Sequence, residues 1–485
     1  MSSDVGRPGG LARWLDQRVG WRGLMHEALD EPIPGGSRWA YVFGSGLLFV
    51  FVNQIVTGIC LALYYVPSVD HAHTTVAYIQ KEVWGGRFLR GLHSYGSSLM
   101  IVLLLLHLAQ TFLYGAYKNR RELLWLVGCF LFLLVFGMSF TGYLLPWDRR
   151  AYFATAVGTN IVSEIPLVGN FVKTVLRGGP EMGTLTLSRF YVLHVFAIPA
   201  LIIGAVAMHV FLFRRAGAAG PPVREEKGSE LATEVFYPGQ VFKDFVFGIL
   251  LIIALGALAL LWPVRLGPVA NPADSTYVPR PEWYYLPAFQ WLKYWHKGGL
   301  IIGIVVIPLL LFGALFGLPF LDRSPRRRPS ERPVSVAGFF LVFAAVVFLG
   351  FQSGLEDRRD SAVRSKLQAQ EKSEEEYSKA PFQPQEEGPM AGPVSASIAP
   401  ALSPEQSKGA LLFESEGCSA CHGAGGRGGN GLVKLSGLGK RFTDSQLTGL
   451  LRKPLPKMVE GGMQPSELKA PDLAALVAYL RATMN

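Results

Sequence analysis

Residues 90–109, RGLHSYGSSLMIVLLLLHLA, and residues 189–210, RFYVLHVFAIPALIIGAVAMHV, decide the fold of this chain. Both stretches are apolar and each carries two histidines, which are His93 and His107, then His194 and His209. The intervals are 14 and 15 residues, so each pair lies on roughly one face of an α-helix, about 21–22 Å apart along its axis. Two such helices facing each other offer two His–His pairs, and paired axial imidazoles suit low-spin haem iron. The spacing predicts two non-covalent, bis-His b-type haems stacked across a membrane.

The composition is that of a membrane protein. Half of the 485 residues are hydrophobic and 17% are charged, whereas a soluble domain carries about 25% charged residues. Apolar runs long enough to cross a bilayer lie at about 40–66, 92–115, 123–146, 189–213, 242–263, 300–321 and 334–351. We therefore expect an all-α, multi-pass membrane protein with a four-helix dihaem bundle, three further transmembrane helices and a small α-helical domain at the end.

The same patterns divide the chain into five parts. A polar N-terminal segment with Trp14, Leu15 and Arg18 at helical spacing is expected to lie on the membrane surface. A later stretch rich in Glu, Lys, Ser, Gln and Pro has a composition typical of flexible linkers. The expected parts are the interfacial segment 1–38, the dihaem domain 39–220, the three-helix domain 221–354, the flexible linker 355–403 and a soluble domain 404–485.

Positive charge is concentrated in alternate loops. Arg and Lys cluster in the N-terminal segment and after the second, fourth and sixth apolar runs, which by the positive-inside rule are cytoplasmic. Seven crossings then place the C-terminal domain on the outer, periplasmic face of a bacterial inner membrane. The net charge of +10 thus reflects topology, and we expect no nucleic-acid partner.

Four glycines repeat the histidine interval. Gly44 and Gly58 in the first apolar run, and Gly128 and Gly142 in the third, are each 14 residues apart. A glycine leaves room where a flat macrocycle must approach the backbone, which favours haem contact. Ordinary packing of small residues between membrane helices is the alternative.

These helices resemble cytochrome b of the quinol–cytochrome c reductases. The matching stretches are Arg90-Gly-Leu-His93, Thr141-Gly-Tyr-Leu-Leu-Pro-Trp147-Asp148 and Leu187-Ser-Arg-Phe-Tyr-Val-Leu-His194. The 15-residue interval resembles that of the chloroplast and Gram-positive type rather than the mitochondrial type. The resemblance implies that His93 and His194 hold the outer haem, that His107 and His209 hold the inner haem, and that Arg90 lies near a haem propionate. Relatives of that type attach a further haem to a Cys where this chain has Val42, so we expect no third membrane haem.

Pro281-Glu282-Trp283-Tyr284 matches the quinol-oxidation motif of that family. A carboxyl among aromatic rings at a membrane interface loses water, and it can accept a proton from a quinol hydroxyl. The alternative is an interfacial aromatic belt with one solvated Glu. The resemblance implies that Glu282, Tyr284 and Tyr143 are catalytic, and that Trp147 also lines the site.

A second quinone site on the cytoplasmic side is implied by the resemblance alone. Arg214, five residues after His209, matches the family's position near the inner haem, although a positive-inside anchor explains it equally well. Glu27 is the nearest counterpart of an acidic residue at that site, with Asp30 and Glu31 as competitors.

Cys418-Ser-Ala-Cys421-His422 is the signature of a covalently attached c-type haem. His422 would ligate the iron, and Met463 is the expected sixth ligand, with Met458 as the competitor. The flanking segments Gly409–Phe413 and Asp472–Leu480 resemble class I cytochrome c. Because c-type haems are attached outside the cytoplasm, the motif agrees with the seven crossings.

The resemblance implies the core redox subunit of a quinol–cytochrome c oxidoreductase that translocates protons. Quinol would be oxidised near Glu282, with one electron going to a Rieske iron–sulfur protein and then to the c haem, and the other crossing through the two b haems to the second quinone site. A soluble or membrane-bound cytochrome c or an oxidase would be the final acceptor, and a homodimer of the complex is expected. The alternative is a quinone-reactive dihaem anchor that exchanges electrons with a peripheral dehydrogenase without bifurcation.

Overall fold

The computed structural model describes residues 10–222, 232–272, 274, 276–295, 299–384, 403–416, 418, 422, 435, 438–460 and 463–483. Its residues form two compact units, one made of 1–270 and 276–385, the other of 271–275 and 386–485. We describe each unit by itself.

The first unit is helical apart from two short strands, β1 (Pro32–Pro34) and β2 (Thr233–Val235), within the residues the structure describes. Its first ten helices are α1 (Gly10–Val19), α2 (Trp21–Leu29), α3 (Val42–Ala62), α4 (Ala72–Lys81), α5 (Gly86–Leu113), α6 (Glu122–Tyr143), α7 (Arg149–Ser163), α8 (Gly169–Arg177), α9 (Thr184–Val192) and α10 (Ile198–Ala216). The next five are α11 (Gly239–Leu261), α12 (Leu286–Leu292), α13 (Ile307–Leu321), α14 (Pro333–Arg359) and α15 (Ser361–Lys379).

Seven helices among the described residues are long and apolar enough to cross a membrane, which confirms the prediction of a multi-pass, all-α protein. They are Trp39–Ala62, Gly86–Leu113, Glu122–Tyr143, Thr184–Ala216, Gly239–Leu261, Ile302–Leu321 and Pro333–Arg359. Many of their large apolar side chains are exposed, for example Leu260 at 68% and Phe348 at 60%. In a soluble protein such surfaces would favour aggregation, whereas in a bilayer they face lipid.

The spans pack as a bundle with helices in pairs. α3 packs on α5, α6 on α10, and α11 on both α5 and α3, while α12 packs on α14. Buried Val50, Met100, Leu103 and Leu251 form the contact between α3, α5 and α11. The two strands pair antiparallel and tie the N-terminal segment to the chain just before α11.

The fourth span is a helix with a π-helical turn inside it. α9 and α10 are joined by Leu193–Ala197, which has π-helical hydrogen bonding. Pro199 follows at the second position of α10, where its missing N–H cannot serve the preceding turn. A π turn holds one more residue than the α-helical turn that it replaces. The extra residue affects the spacing of the histidines on this span.

The prediction of a flexible linker from residue 355 is wrong for its first part. α14 continues to Arg359, and the side chain of Asp360 caps α15 by accepting from the backbone N–H of Ala362 and Val363. Tyr377 and Phe382 pack against Val76, Ala77 and Leu266 of the membrane unit. Glu- and Lys-rich composition therefore reflects one solvated face of an ordered helix here, while residues 385–402 lie outside the described part.

The second unit is the small helical domain. Its helices are α16 (Pro404–Ser415), α17 (Leu438–Arg441), α18 (Asp444–Arg452), α19 (Pro456–Glu460) and α20 (Ala470–Thr483). α16 and α20 cross at Gly409, where a Cβ would clash with the backbone of Ala475. Phe413 packs against Tyr479 with tilted rings whose centroids are 5.8 Å apart, in a core that includes Leu476 and Leu480.

Candidate functional site

The four membrane histidines form two facing pairs. The ring centroids of His93 and His194 are 6.1 Å apart, and those of His107 and His209 are 6.5 Å apart. A metal bound by two imidazoles at about 2 Å per bond holds ring centroids roughly 6 Å apart. Both pairs therefore have the separation that one iron between them requires, and the pairing agrees with the one that the resemblance implies.

The π-helical turn explains why the two histidine intervals differ. His194 lies inside Leu193–Ala197, so the helix absorbs one residue between His194 and His209. The remaining interval is equivalent to 14 residues of regular helix, which is the interval between His93 and His107 on α5. Both pairs of histidines consequently keep the same rotation along their helices.

Each glycine of the 14-residue repeat faces one histidine. The distances from the position that a Cβ would take are 3.4 Å from Gly44 to Cε1 of His107, 3.1 Å from Gly58 to Cε1 of His93, 3.3 Å from Gly128 to Cε1 of His209 and 2.8 Å from Gly142 to Nδ1 of His194. The structure places each of these glycines against an imidazole ring, and their contact with a haem macrocycle stays a prediction. The glycine interval matches the histidine interval because each glycine lies opposite one histidine.

Hydrogen bonds orient the rings of His93 and His194. Oγ1 of Thr57 donates to the Asn53 carbonyl at 2.6 Å and so accepts at 2.9 Å from Nδ1 of His93. Nδ1 of His194 lies 3.0 Å from the Met138 carbonyl. A proton on each Nδ1 leaves Nε2 as the metal ligand, and such bonds fix the tautomer and the ring orientation.

Arg90, which the resemblance places near a haem propionate, has protein partners in the structure. Its guanidinium donates to Oε1 of Gln80, to the Val264 carbonyl at 3.1 Å and to the Arg265 carbonyl at 3.2 Å. Arg90 lies one helical turn before His93, and these bonds join α5 to the segment after α11.

Glu282 forms a charged cluster with residues that are distant in sequence. Its Oε1 lies 3.6 Å from Nη2 of Arg150, the second residue of α7. The Tyr143 hydroxyl, at the end of α6, interacts electrostatically with both groups, and it has no hydrogen-bond partner among the described residues although it is buried. A buried hydroxyl beside a carboxylate and a guanidinium fits a ligand that carries its own hydroxyl group.

The other residues of the motif surround this cluster. The Tyr284 hydroxyl lies 2.5 Å from Oγ of Ser139 on α6, and burial raises the pKa of Tyr284 to about 12. Trp283 is half-exposed and donates to Oγ of Ser98 at 3.3 Å. Pro281 lies at the start of the motif and is partly buried. The structure therefore links the motif directly to α6, which also faces His194.

Trp147 is enclosed by protein, and its place in the lining of the quinol site stays a prediction. Its side chain is 4% exposed, it packs edge-on against Tyr152 at 5.3 Å, and its cluster includes Leu187 and Phe190. Its backbone has φ 50°, in the left-handed region, so this packing holds an unfavourable turn. Enclosure by protein gives Trp147 a structural role that the resemblance did not predict.

Asp148 joins that turn to the loop before the motif. It caps α7 by accepting from the Ala151 N–H at 2.8 Å, and it accepts from the Gly267 N–H at 3.2 Å. Nε2 of buried His73 in turn lies 2.8 Å from the Gly267 carbonyl. Burial lowers the pKa of His73. These contacts fix the loop relative to α7 and thereby place Arg150 opposite Glu282.

A cavity of about 390 Å³ lies between α7 and the α12–α13 region. It is lined mainly by apolar residues, namely Val157, Ile161, Phe289, Leu292, Leu300 and Ile304, together with Asn160, Glu164 and Lys293. This volume falls within the range of small-molecule sites, and the lining suits an apolar ring or tail.

Arg214, five residues after His209, forms an ion pair with Glu31. Nη1 of Arg214 lies 2.9 Å from Oε2 of Glu31, and their side chains are 34% and 15% exposed. Glu27, the predicted counterpart, belongs to α2, but its side chain is outside the described residues. The structure thus favours Glu31, one of the two competitors.

The small domain presents part of the c-type motif. Cys418 is half-buried against the cluster of Phe413 and Leu476, and His422 is also half-buried. Cys421 lies outside the described residues. The backbone N–H of Met463 donates to the Met458 carbonyl at 2.9 Å, so both candidate axial ligands occupy one turn, and Met463 remains a prediction.

Arg150 and Ser139 are the site residues that the sequence reasoning missed. Their partners Glu282 and Tyr284 are more than 130 residues away along the chain. One signal pointed to Arg150, since it carries a positive charge in a loop on the side where such charges are sparse.

The fold and these sites define a class, namely membrane electron-transfer proteins that bind haem. Residues 28–217 match the family described as "Cytochrome b/b6/petB", residues 269–367 match "Cytochrome b(C-terminal)/b6/petD", and residues 406–483 match "Cytochrome c". The chain therefore belongs to the cytochrome b family, carries a cytochrome c domain, and is a component of a membrane oxidoreductase.

Relatives and a solved structure agree. The menaquinol:cytochrome c reductase cytochrome b subunit of Geobacillus thermodenitrificans is 43% identical over 44% of this chain and 98% of its own length. Cytochrome b of Cereibacter sphaeroides is 33% identical over 70% of this chain and 82% of its own length. The solved structure of a hyperthermophilic respiratory Complex III matches 71% of this chain and 91% of its own, at 26% identity and a TM-score of 0.63.

Proposed function

We propose that this chain is the core redox subunit of a proton-translocating quinol–cytochrome c oxidoreductase, and that it oxidises quinol beside Glu282. The observation that carries the proposal is the cluster of Glu282, Arg150 and Tyr143. Tyr143 follows Gly142, which faces His194, so the cluster adjoins the outer histidine pair through one turn of α6. A proton acceptor and an electron acceptor are thereby held next to each other.

The residues of this cluster have distinct tasks. The Glu282 carboxylate accepts a proton from a quinol hydroxyl, and Arg150 stabilises the ionised carboxylate between turnovers. The Tyr143 hydroxyl, which has no hydrogen-bond partner within the part of the chain that the structure describes, is offered to the quinol oxygen. The bond between Ser139 and Tyr284 holds the motif against α6. Complete oxidation of one quinol releases two protons and two electrons, with the protons leaving on the outer side.

The histidine pairs and the small domain provide for the electrons. His93 with His194, and His107 with His209, would each hold a b haem, while Cys418, Cys421, His422 and Met463 would hold one c haem. When bound, these haems supply reversible one-electron redox chemistry. Arg214 and Glu31 would bind quinone on the cytoplasmic side. Two observations support the proposal of two membrane haems, namely the glycines opposite the histidines and the 6.1 and 6.5 Å separations of the ring centroids.

The proposal requires partners. The sequence holds four cysteines, two of them in the c-type motif, and these do not form a Rieske ligand set, so an iron–sulfur protein must carry one electron to the c haem. The pattern of positive loops supports a cytoplasmic N-terminus and a periplasmic cytochrome c domain in a bacterial inner membrane. Dimerisation of the complex and a cytochrome c or oxidase as final acceptor follow from the resemblance.

Replacing Glu282 by Gln tests the proposal. We expect quinol-dependent reduction of the b and c haems in the purified complex to fall by about 100-fold or more, while haem content and the dithionite-reduced spectrum stay unchanged. Glu376→Gln is the control, because Glu376 lies on the same side, is 68% exposed and pairs with Lys372. Full quinol oxidation by the Glu282→Gln complex would overturn the proposal.

A further inference from the structure

Helix α15 is fastened to the loop that leads to the quinol motif. Gln370 donates to the Val278 carbonyl at 3.2 Å and accepts from the Val278 N–H at 2.8 Å. Ser378 makes the same reciprocal pair with Leu266, at 3.2 and 2.9 Å. Each pair uses both backbone groups of its partner residue, so α15 holds the loop at two points.

Glu374 lies midway between these two points. Residues 370, 374 and 378 are four apart and therefore share one face of the helix. A Cβ placed on Gly267 would lie 3.2 Å from Cγ of Glu374 and 3.6 Å from Oδ2 of Asp148, so the two carboxylates flank Gly267. Burial raises the pKa of the Glu374 carboxyl, and Arg150 opposes that shift.

Arg150 is the cation that Glu374 and Glu282 have in common. Its Nη2 stands 3.6 Å from Glu282, beyond the length of a good hydrogen bond. The guanidinium also interacts with Glu374 and Asp148. One positive charge thus lies among three carboxylates, and only one of these belongs to the quinol motif.

We propose that Glu374 is a positioning residue for quinol oxidation, which shares Arg150 with Glu282 and so sets how readily Glu282 takes up a proton. The inference rests on the proposed function of Glu282. When a quinol hydroxyl transfers its proton, the O–H bond breaks, an O–H bond forms on Glu282, and the cluster loses one negative charge. Arg150 then remains balanced by Glu374 and Asp148.

Other charged or titratable groups face this cluster. They lie on α6, the turn before α7, the loop of the motif, the segment after α11 and α15, and are Tyr143, Asp148, Arg149, Tyr277, Tyr284, Arg265 and Glu371. Of the carboxylates on α15, Glu374 is partly buried and interacts with Arg150, whereas neighbouring Glu375 pairs with Lys379.

The test compares Glu374→Gln with Glu375→Gln in the haem-loaded complex. Removing the charge of Glu374 favours ionised Glu282, so we expect the acid limb of the quinol-oxidation rate to move to lower pH by about half a unit to one unit. Glu375→Gln should leave the profile in place. A profile that does not move in Glu374→Gln, or that moves equally in Glu375→Gln, overturns the inference.

A third variant separates the effect of the Glu374 charge from the effect of the hydrogen bonds that hold α15 to the loop. Gln370→Ala removes one reciprocal pair and keeps every charge, so we expect a lower rate at all pH values with an unshifted acid limb. A shift equal to that of Glu374→Gln would overturn the inference. Failure of the proposed function has a different result, since quinol oxidation would then survive in Glu282→Gln whatever Glu374→Gln does.

Discussion

The four glycines that face the histidines lead to a graded prediction about haem retention, in which Gly142→Ala has the largest effect. A Cβ there would lie 2.8 Å from Nδ1 of His194, whereas non-bonded heavy atoms prefer about 3.5–4.0 Å. The ring must retreat by roughly 0.7 Å or more. A shift toward His93 narrows the 6.1 Å separation of the two ring centroids, which is the space that an iron would fill.

The contacts of the other three glycines set the order of the expected effects on haem binding. The same comparison gives a required shift of about 0.4 Å for Gly58→Ala, and about 0.1–0.2 Å for Gly128→Ala and Gly44→Ala. Overpacking of this kind costs about 1–3 kcal/mol, which corresponds to a loss of about 5–150-fold in affinity for the haem. Gly142→Ala should therefore lose the outer b haem, Gly58→Ala should weaken it, and the two inner variants should keep both haems.

Pyridine haemochrome analysis of the purified complex measures the outcome. We expect the ratio of b to c haem to be two in the wild type and close to one in Gly142→Ala. Gly137→Ala is a matched control on the same helix, because the nearest side-chain atom is 3.9 Å from its Cβ position. Two b haems with an unchanged spectrum in Gly142→Ala, or equal loss in Gly137→Ala, would refute the reasoning.

Two further predictions concern the ends of the electron path. Truncation after Pro384 should leave quinol reduction of the b haems intact and abolish electron transfer to an external cytochrome c, measured by stopped-flow spectroscopy. Truncation after Arg359 should also slow b-haem reduction, because it removes α15. Equal rates of b-haem reduction in the two truncated chains would contradict this prediction. Glu31→Gln and Arg214→Ala should each slow reoxidation of the inner b haem by quinone, with a coupling of up to about 1 kcal/mol in a double-mutant cycle. Asp30→Asn, whose carboxylate pairs with exposed His26, is the control, and an equal effect there would argue against an inner site at Arg214.

The sequence was informative where a pattern repeats along one segment. Apolar runs predicted the seven spans, and the histidine intervals predicted which helices face each other, because each signal depends on local periodicity. The partnership of Arg150 with Glu282 was out of reach, since it depends on how Asp148 and Gly267 join two loops in space.

Composition misled at α15 and left the inner site open. Glu- and Lys-rich segments with few aromatic residues usually remain disordered, but Gln370 and Ser378 hold this one in place through hydrogen bonds to backbone groups that composition does not reveal. Near the inner site, the sequence favoured Glu27 over the neighbouring Asp30 and Glu31, and the 2.9 Å contact with Arg214 is what distinguishes Glu31.

The π-helical turn at Leu193–Ala197 also bears on how cytochromes b of different lengths are compared. An added residue in a transmembrane helix would normally rotate everything beyond it by about 100°, and would turn His209 away from its partner. Here the surplus is confined to one turn, and the helix beyond it stays in register. Two chains whose histidine intervals differ by one residue can therefore hold their ligands alike, so an alignment gap belongs within this turn and not between the helices.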